Sequence, residues 1–190
     1  MPIEIEKKYR LTKERCRAIE DRLRAIGTEP RPIEFEENTL YRGGRIDFGG
    51  CALRLRRVNN RAILTFKRRF PTASAIKHQQ EDETQVADPK ATDAILRALG
   101  FQPALIYEKR RTRWKVGAAE VTIDELPFGL FMEIEAPEKE IERVEQLLDI
   151  GNLPAVMETY PALAMKLGEE QDGVIEARFN DQSQNRSRPG

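Results

Sequence analysis

The chain has 190 residues, 39% hydrophobic and 34% charged, and its 32 basic and 32 acidic side chains cancel to a formal net charge of zero. Those figures allow one folded domain with a core and exclude a generally basic nucleic-acid binder and an acidic tail protein. Cys16 and Cys51 lack the spacing of a metal knuckle or redox pair, which points to a reduced, cytoplasmic setting; the lone His78 argues against Ser-His or Cys-His catalysis and against a histidine zinc site, and no stretch reads as a leader or a membrane span.

In chain order, residues 3–10 alternate as a strand. A helix follows Thr12 as N-cap, with Ile19, Leu23 and Ile26 on one stripe and Gly27 as the stop. Residues 52–58 and 62–68 read as strands joined at Asn59-Asn60, and 80–86 as a third. Asp88 and Pro89 open a second helix that Gly100 ends. Strands at 106–116, 120–124 and 130–136 follow, with Gly117 in a turn, then a helix over about 137–150 and a short one over 160–167. Each helix is amphipathic and should pack against something larger. The order predicts an α+β fold with a largely antiparallel sheet, and no Gly-rich phosphate loop opens a helix. Residues 1–168 form the expected domain; the polar segment 169–190 reads as a disordered tail.

Period two assigns the strand faces. Glu4, Glu6 and Lys8 share a face, as do Arg54 with Arg56, Thr65 with Lys67, and Glu81 with Glu83. So do Lys109, Arg111 and Arg113, Thr122 with Asp124, and Glu133 with Glu135. A solvated sheet face explains any one such strand. Arginine dominates the bases here, however, and E-x-E recurs on three strands, where paired carboxylates repel unless a cation answers them. The alternative is a sheet that closes with its charged faces inward. Arginines and lysines there would grip phosphate, and carboxylates would hold a hard divalent cation such as Mg²⁺ or Mn²⁺. The expected ligand is a polyphosphate carrying that metal.

The ordered series E-x-E-x-K (Glu4 to Lys8), "LRLR" (Arg54, Arg56), "LTFK" (Lys67), Glu81 and Glu83, "EKRR" (Lys109, Arg111), Asp124 and "MEIE" (Glu133, Glu135) resembles the CYTH superfamily, the triphosphate tunnel metalloenzymes. The resemblance covers about residues 1–168. It implies an eight-stranded antiparallel β tunnel, a closed barrel with amphipathic helices outside, and a metal-dependent hydrolase of inorganic tripolyphosphate, a nucleoside triphosphate or thiamine triphosphate. A class IV adenylate cyclase making cyclic AMP and pyrophosphate is the alternative, and a non-catalytic polyphosphate or nucleotide binder the second.

Carried over by position, Lys8, Arg54, Arg56, Lys67, Lys109 and Arg111 would hold phosphates, with Arg113 as a further contact. Glu4, Glu6, Asp124, Glu133 and Glu135 would surround Mg²⁺ or Mn²⁺, and Glu81 and Glu83 would line the tunnel. Lys109, paired with Tyr41, would be the base for water. The partner would be a small triphosphate rather than nucleic acid or membrane, and the protein a monomer or homodimer. Two departures stand out: Gln79 occupies a position where relatives often have arginine, and "RGGRIDFGG" (42–50) has arginines where relatives often have an acidic turn.

Overall fold

The computed structural model describes residues 3–44, 46, 50–69 and 77–180, without the side chains at 3, 4, 69 and 77–79. The expectations that rest on the Glu4, His78 and Gln79 side chains, on positions 45 and 47–49 of the "RGGRIDFGG" loop and on the last ten residues therefore lie outside the described residues. The fold is α+β, a predominantly antiparallel sheet with four helices. The strands are β1 (Ile3–Leu11), β2 (Glu34–Arg42), β3 (Cys51–Val58), β4 (Arg61–Arg69), β5 (Lys77–Val86), β6 (Gln102–Val116), β7 (Ala119–Leu126), β8 (Gly129–Glu135), β9 (Glu169–Gln171) and β10 (Val174–Ala177). The helices are α1 (Lys13–Ala25), α2 (Pro89–Ala98), α3 (Glu138–Leu148) and α4 (Tyr160–Leu167).

The helix signals act as their chemistry requires. Thr12 caps α1 by accepting from the Arg15 N–H, and Asp88 caps α2 by accepting from Lys90 and Ala91, with Pro89 in the first turn. Thr159 does the same for α4. Gly27 and Gly100 follow α1 and α2 at φ +80 and +88, the left-handed region where a Cβ is disfavoured.

Antiparallel pairing runs in the order β2-β3-β4-β5-β1-β8-β7-β6, and β6 pairs also with β2, from Glu34 opposite Arg111 to Arg42 opposite Gln102. The outward faces carry the apolar core in separate patches. Tyr9, Trp114, Val121, Ile123, Met132 and Ile134 pack under α1 and α3, whose Ile19, Leu23, Ile141 and Val144 complete that cluster. Tyr41, Leu55 and Ala62 pack under Leu96 of α2. Each such apolar side chain contributes about 1.5–3 kcal/mol by leaving water. Helix α4 differs, because it meets inward-facing residues: Tyr160, Leu163 and Ala164 pack with Leu40, Leu105, Leu126 and Phe131 and fill one end of the space inside the sheet.

Two expectations change. The eighth long strand is β2, which the alternation missed. Its outer face reads Phe35, Glu37, Thr39 and only then Tyr41, and Phe35 stays exposed. Residues 169–177 are two strands rather than a frayed tail: β10 pairs in parallel with β6 at Leu105–Tyr107, and the Arg178 guanidinium bonds Glu37, Glu108 and Glu176.

Candidate active site

The inward faces of β1–β6 and β8, together with the start of α4, enclose a cavity of about 300 Å³. Seven basic side chains line it: Lys8, Arg54, Arg56, Lys67, Lys109, Arg111 and Arg113. Glu6, Glu81, Glu83, Glu133 and Glu135 share the lining, and buried Glu36 and Asp124 stand behind it. Among the described residues the site is thus close to electroneutral, which is how so many charges tolerate burial without a ligand. All the sequence-predicted phosphate-binding residues converge here, as do the two tunnel-lining glutamates.

The bases and acids are matched strand to strand. Arg111 grips Asp124 through both Nε (2.7 Å) and an Nη, and reaches Glu133 at 2.8 Å. Lys8, 1% exposed, lies 3.2 Å from the other Glu133 oxygen and 3.8 Å from the centre of the Tyr160 ring, a cation–π placement. Arg56 donates to Glu83 at 3.0 Å, Thr65 donates to the same oxygen at 2.7 Å, and Lys67 pairs with Glu81. Arg113 sits between Glu34 (3.0 Å) and Glu120 (2.6 Å).

Glu36 of β2 is the residue that the sequence reading missed. It is fully buried, with Lys109 at 3.3 Å, Arg113 at 3.7 Å and Arg56 at 3.9 Å, yet neither carboxylate oxygen accepts a hydrogen bond. Burial alone would push its carboxyl up, but Lys109, Arg111, Arg56 and Arg54 hold it well below the usual carboxylate range. A signal was available: Glu34-Phe35-Glu36 is a fourth E-x-E. The side chain of Asn38 and the Nε atoms of Arg54 and Arg56 are likewise buried without partners. This cluster of unanswered polar groups marks a place built to meet something polar.

Lys109 is the most perturbed base in the cavity whose state can change near neutral pH. Burial, followed by repulsion from Arg111, pulls its ammonium down to about 8, against the opposing attraction of Asp124, Glu36 and Glu133. Its expected partner Tyr41 is not in the cavity. Tyr41 lies on the outward face of β2, under α2, and its hydroxyl donates to Asp93 at 2.6 Å. The reason is parity: Glu36, Asn38 and Leu40 face inward, so Tyr41 cannot. Tyr160 has its ring centre 5.4 Å from the ammonium and a fully buried hydroxyl, and Tyr107 also lines the cavity.

The predicted metal set divides. Glu6 and Glu135 are register partners on β1 and β8 and both face the cavity. Glu133 follows on the same face of β8, engaged by Lys8 and Arg111, while Asp124 is committed to Arg111 and Lys109. Among the described residues no three acidic, histidine or cysteine side chains are already gathered as a metal cage. The donor chemistry of Glu6, Glu133 and Glu135 nonetheless suits a hard divalent cation, because carboxylate oxygens on one face are its preferred ligands.

Proteins of similar fold are known. A Pyrococcus horikoshii protein is 27% identical, with a TM-score of 0.70 over 86% of this chain and 98% of its own. A second protein from that organism is 22% identical, with a TM-score of 0.71 over 83% and 96%. A Hippeastrum protein studied as an adenylyl cyclase, with a dominant triphosphatase activity, is 20% identical, with a TM-score of 0.65 over 85% and 94%. No curated protein matches the chain. The CYTH domain model matches residues 2–155, and with that match over most of its length the chain belongs to the CYTH domain family.

Proposed function

We propose that the protein is a divalent-metal-dependent triphosphatase, with its eight long strands acting as a closed tunnel around the triphosphate. The observation that carries this reading is the buried cavity itself: arginines of two strands, β3 and β6, gather with a lysine that loses its proton near pH 8. Phosphoryl transfer asks a protein mainly for positioning and charge neutralisation. Arg54, Arg56 and Arg111 would hold phosphate oxygens through paired N–H donors, and Lys8 and Lys67 would add mobile charge. Neutral Lys109 would take the proton from the attacking water, with Tyr160 rather than Tyr41 beside it. Glu6, Glu133 and Glu135 would hold Mg²⁺ or Mn²⁺, with Glu4 added to them on the sequence pattern alone. When bound, that ion would neutralise charge on the phosphate oxygens.

The test is to incubate the purified protein with tripolyphosphate, ATP and thiamine triphosphate, each with Mg²⁺ or Mn²⁺, and to identify every product. Free phosphate released only with metal is the expected result. Cyclic AMP and pyrophosphate from ATP would replace the hydrolase with an adenylate cyclase. Saturable binding with no product would make the protein a polyphosphate or nucleotide binder.

A further inference from the structure

Glu37 and Glu108 are register partners where β2 pairs with β6, and both lie on the outward face. Like charges set directly across two strands repel unless something answers them. Arg57 bonds Glu37 at 2.6 Å, whereas among the described residues the one cation paired with the buried Glu108 is Arg178. The Arg178 guanidinium bridges the two strands, 2.7 Å from Glu37 and 3.0 Å from Glu108, and also bonds Glu176 of β10 at 2.5 Å. The chain around it is held on both sides. Before it, Ala177 stands opposite Tyr107 in the pairing of β10 with β6. After it, the Phe179 N–H donates to the other Glu108 oxygen at 2.9 Å, and the centre of the Phe179 ring lies 4.0 Å from the Arg110 guanidinium. On its inward face the same strand pair opposes Glu36 to Lys109, 3.3 Å apart. The Arg178 clasp is thus one residue along each strand from the ion pair beside the cavity.

We propose that Arg178 is a positioning residue for the reaction: from outside the sheet it holds β2 and β6 in the register that sets Lys109 against Glu36. The inference rests on the triphosphatase reading and adds to it a residue that does not touch the substrate. Without Arg178, Glu108 keeps the Phe179 N–H alone, and two carboxylates face each other across the strand pair. The strands relieve that repulsion by parting, and Glu36 and Lys109 move with them, because neighbouring residues share one backbone. Proton transfer needs its two heavy atoms within about 3.2 Å. A displacement of about 1 Å therefore costs turnover far more than it costs the hold of several cations on phosphate.

The experiment compares the full chain with Arg178→Gln and with the triple variant Glu37→Gln, Glu108→Gln, Arg178→Gln, in which the facing charges are gone. Calorimetric titration with tripolyphosphate alone gives its Kd and counts the competent sites; phosphate release with Mg²⁺ is then expressed per competent site, and circular dichroism checks the fold. Arg178→Gln should lower kcat per site by about tenfold or more while Kd stays within about twofold. The triple variant should recover kcat to within about threefold of the wild type, because the repulsion is gone. A purely structural Arg178 would lower Tm and the number of competent sites but leave kcat per site unchanged, and that result overturns the proposal. A triple variant as slow as Arg178→Gln overturns it too, since the loss then does not come from the facing carboxylates. Where Arg178→Gln fails to fold, Arg178→Lys takes its place: it keeps the charge without the two-armed bridge, so a loss of about threefold or more is expected and an unchanged kcat per site overturns the proposal. All these outcomes leave the triphosphatase reading standing. Wild-type protein that releases no phosphate overturns that reading and this proposal with it.

Discussion

Glu36 is a carboxylate surrounded by three cations that it does not hydrogen-bond, so its part is to balance charge. Glu36→Gln should remove that balance and leave Lys109, Arg56 and Arg113 repelling one another. Breaking a buried ion cluster costs about 3–5 kcal/mol. We expect a fall in Tm of roughly 6–20 °C for a domain of this size, read by calorimetry and largely restored by tripolyphosphate. An unchanged Tm would mean that the cluster is less strongly coupled than its distances indicate. Lys109 gives a second expectation. Below about pH 8 its amine is protonated and cannot accept a proton, so kcat/KM should rise with pH through that value. Lys109→Arg keeps the charge but cannot be neutral; it should lower turnover by about 10²–10⁴-fold and flatten the alkaline rise, with tripolyphosphate binding retained. A wild-type profile flat from pH 6 to 9 would remove Lys109 from the role of base. At this scale the sequence was informative where a charged face opposed an apolar one. Asp124 and Lys109 could be placed that way, whereas Tyr160 could not, because a helix residue entering the space inside a sheet leaves no trace in strand alternation.

At the scale of elements, α4 and the β9–β10 pair finish one end of the molecule. Gly168 shows how closely they meet: a Cβ there would stand 2.7 Å from the Glu176 carbonyl and 2.8 Å from that of Ala164. Removing everything after Gly168 should therefore uncover Ala177's place in the α4 cluster and the β6 edge, and lower Tm measurably by thermal denaturation. If the truncated chain melts with the full one, the segment has no structural role. The helices were legible in advance because caps and stripes are local signals. The β2, β9 and β10 strands were not: β2 has charge on both faces, and β9 and β10 are three and four residues long, too short for a period to show.

For the whole molecule, a net charge of zero conceals a strongly ionic interior. Saturating tripolyphosphate with metal should raise Tm, since a ligand at a hundred times its Kd adds about 2.7 kcal/mol. Added salt should weaken that shift by screening the charges of the cavity. A shift insensitive to salt would argue for binding away from these charges. The fold class followed from the order of strands and helices, and the charged cavity from the inward parity of seven strands. The pairing of β6 with β2 depends on contacts about seventy residues apart, which no local pattern encodes.

The matching of charges also bears on how the chain reaches this structure. Within the hairpin run β3-β4-β5, Arg54, Arg56 and Lys67 already meet Glu81 and Glu83; within β6-β7-β8, Lys109, Arg111 and Arg113 already meet Asp124, Glu133 and Glu120. The second run can thus assemble as a neutral unit from neighbouring sequence, and the first with one surplus positive charge. Only β1 and β2 join the two: Lys8 reaches Glu133, and Glu36 stands between Arg56 of one run and Lys109 of the other. Joining them closes long loops, the slow kind of step in β-rich folding. Refolding should therefore be limited by the docking of those two strands, with Glu36 acting as the buckle that is fastened last.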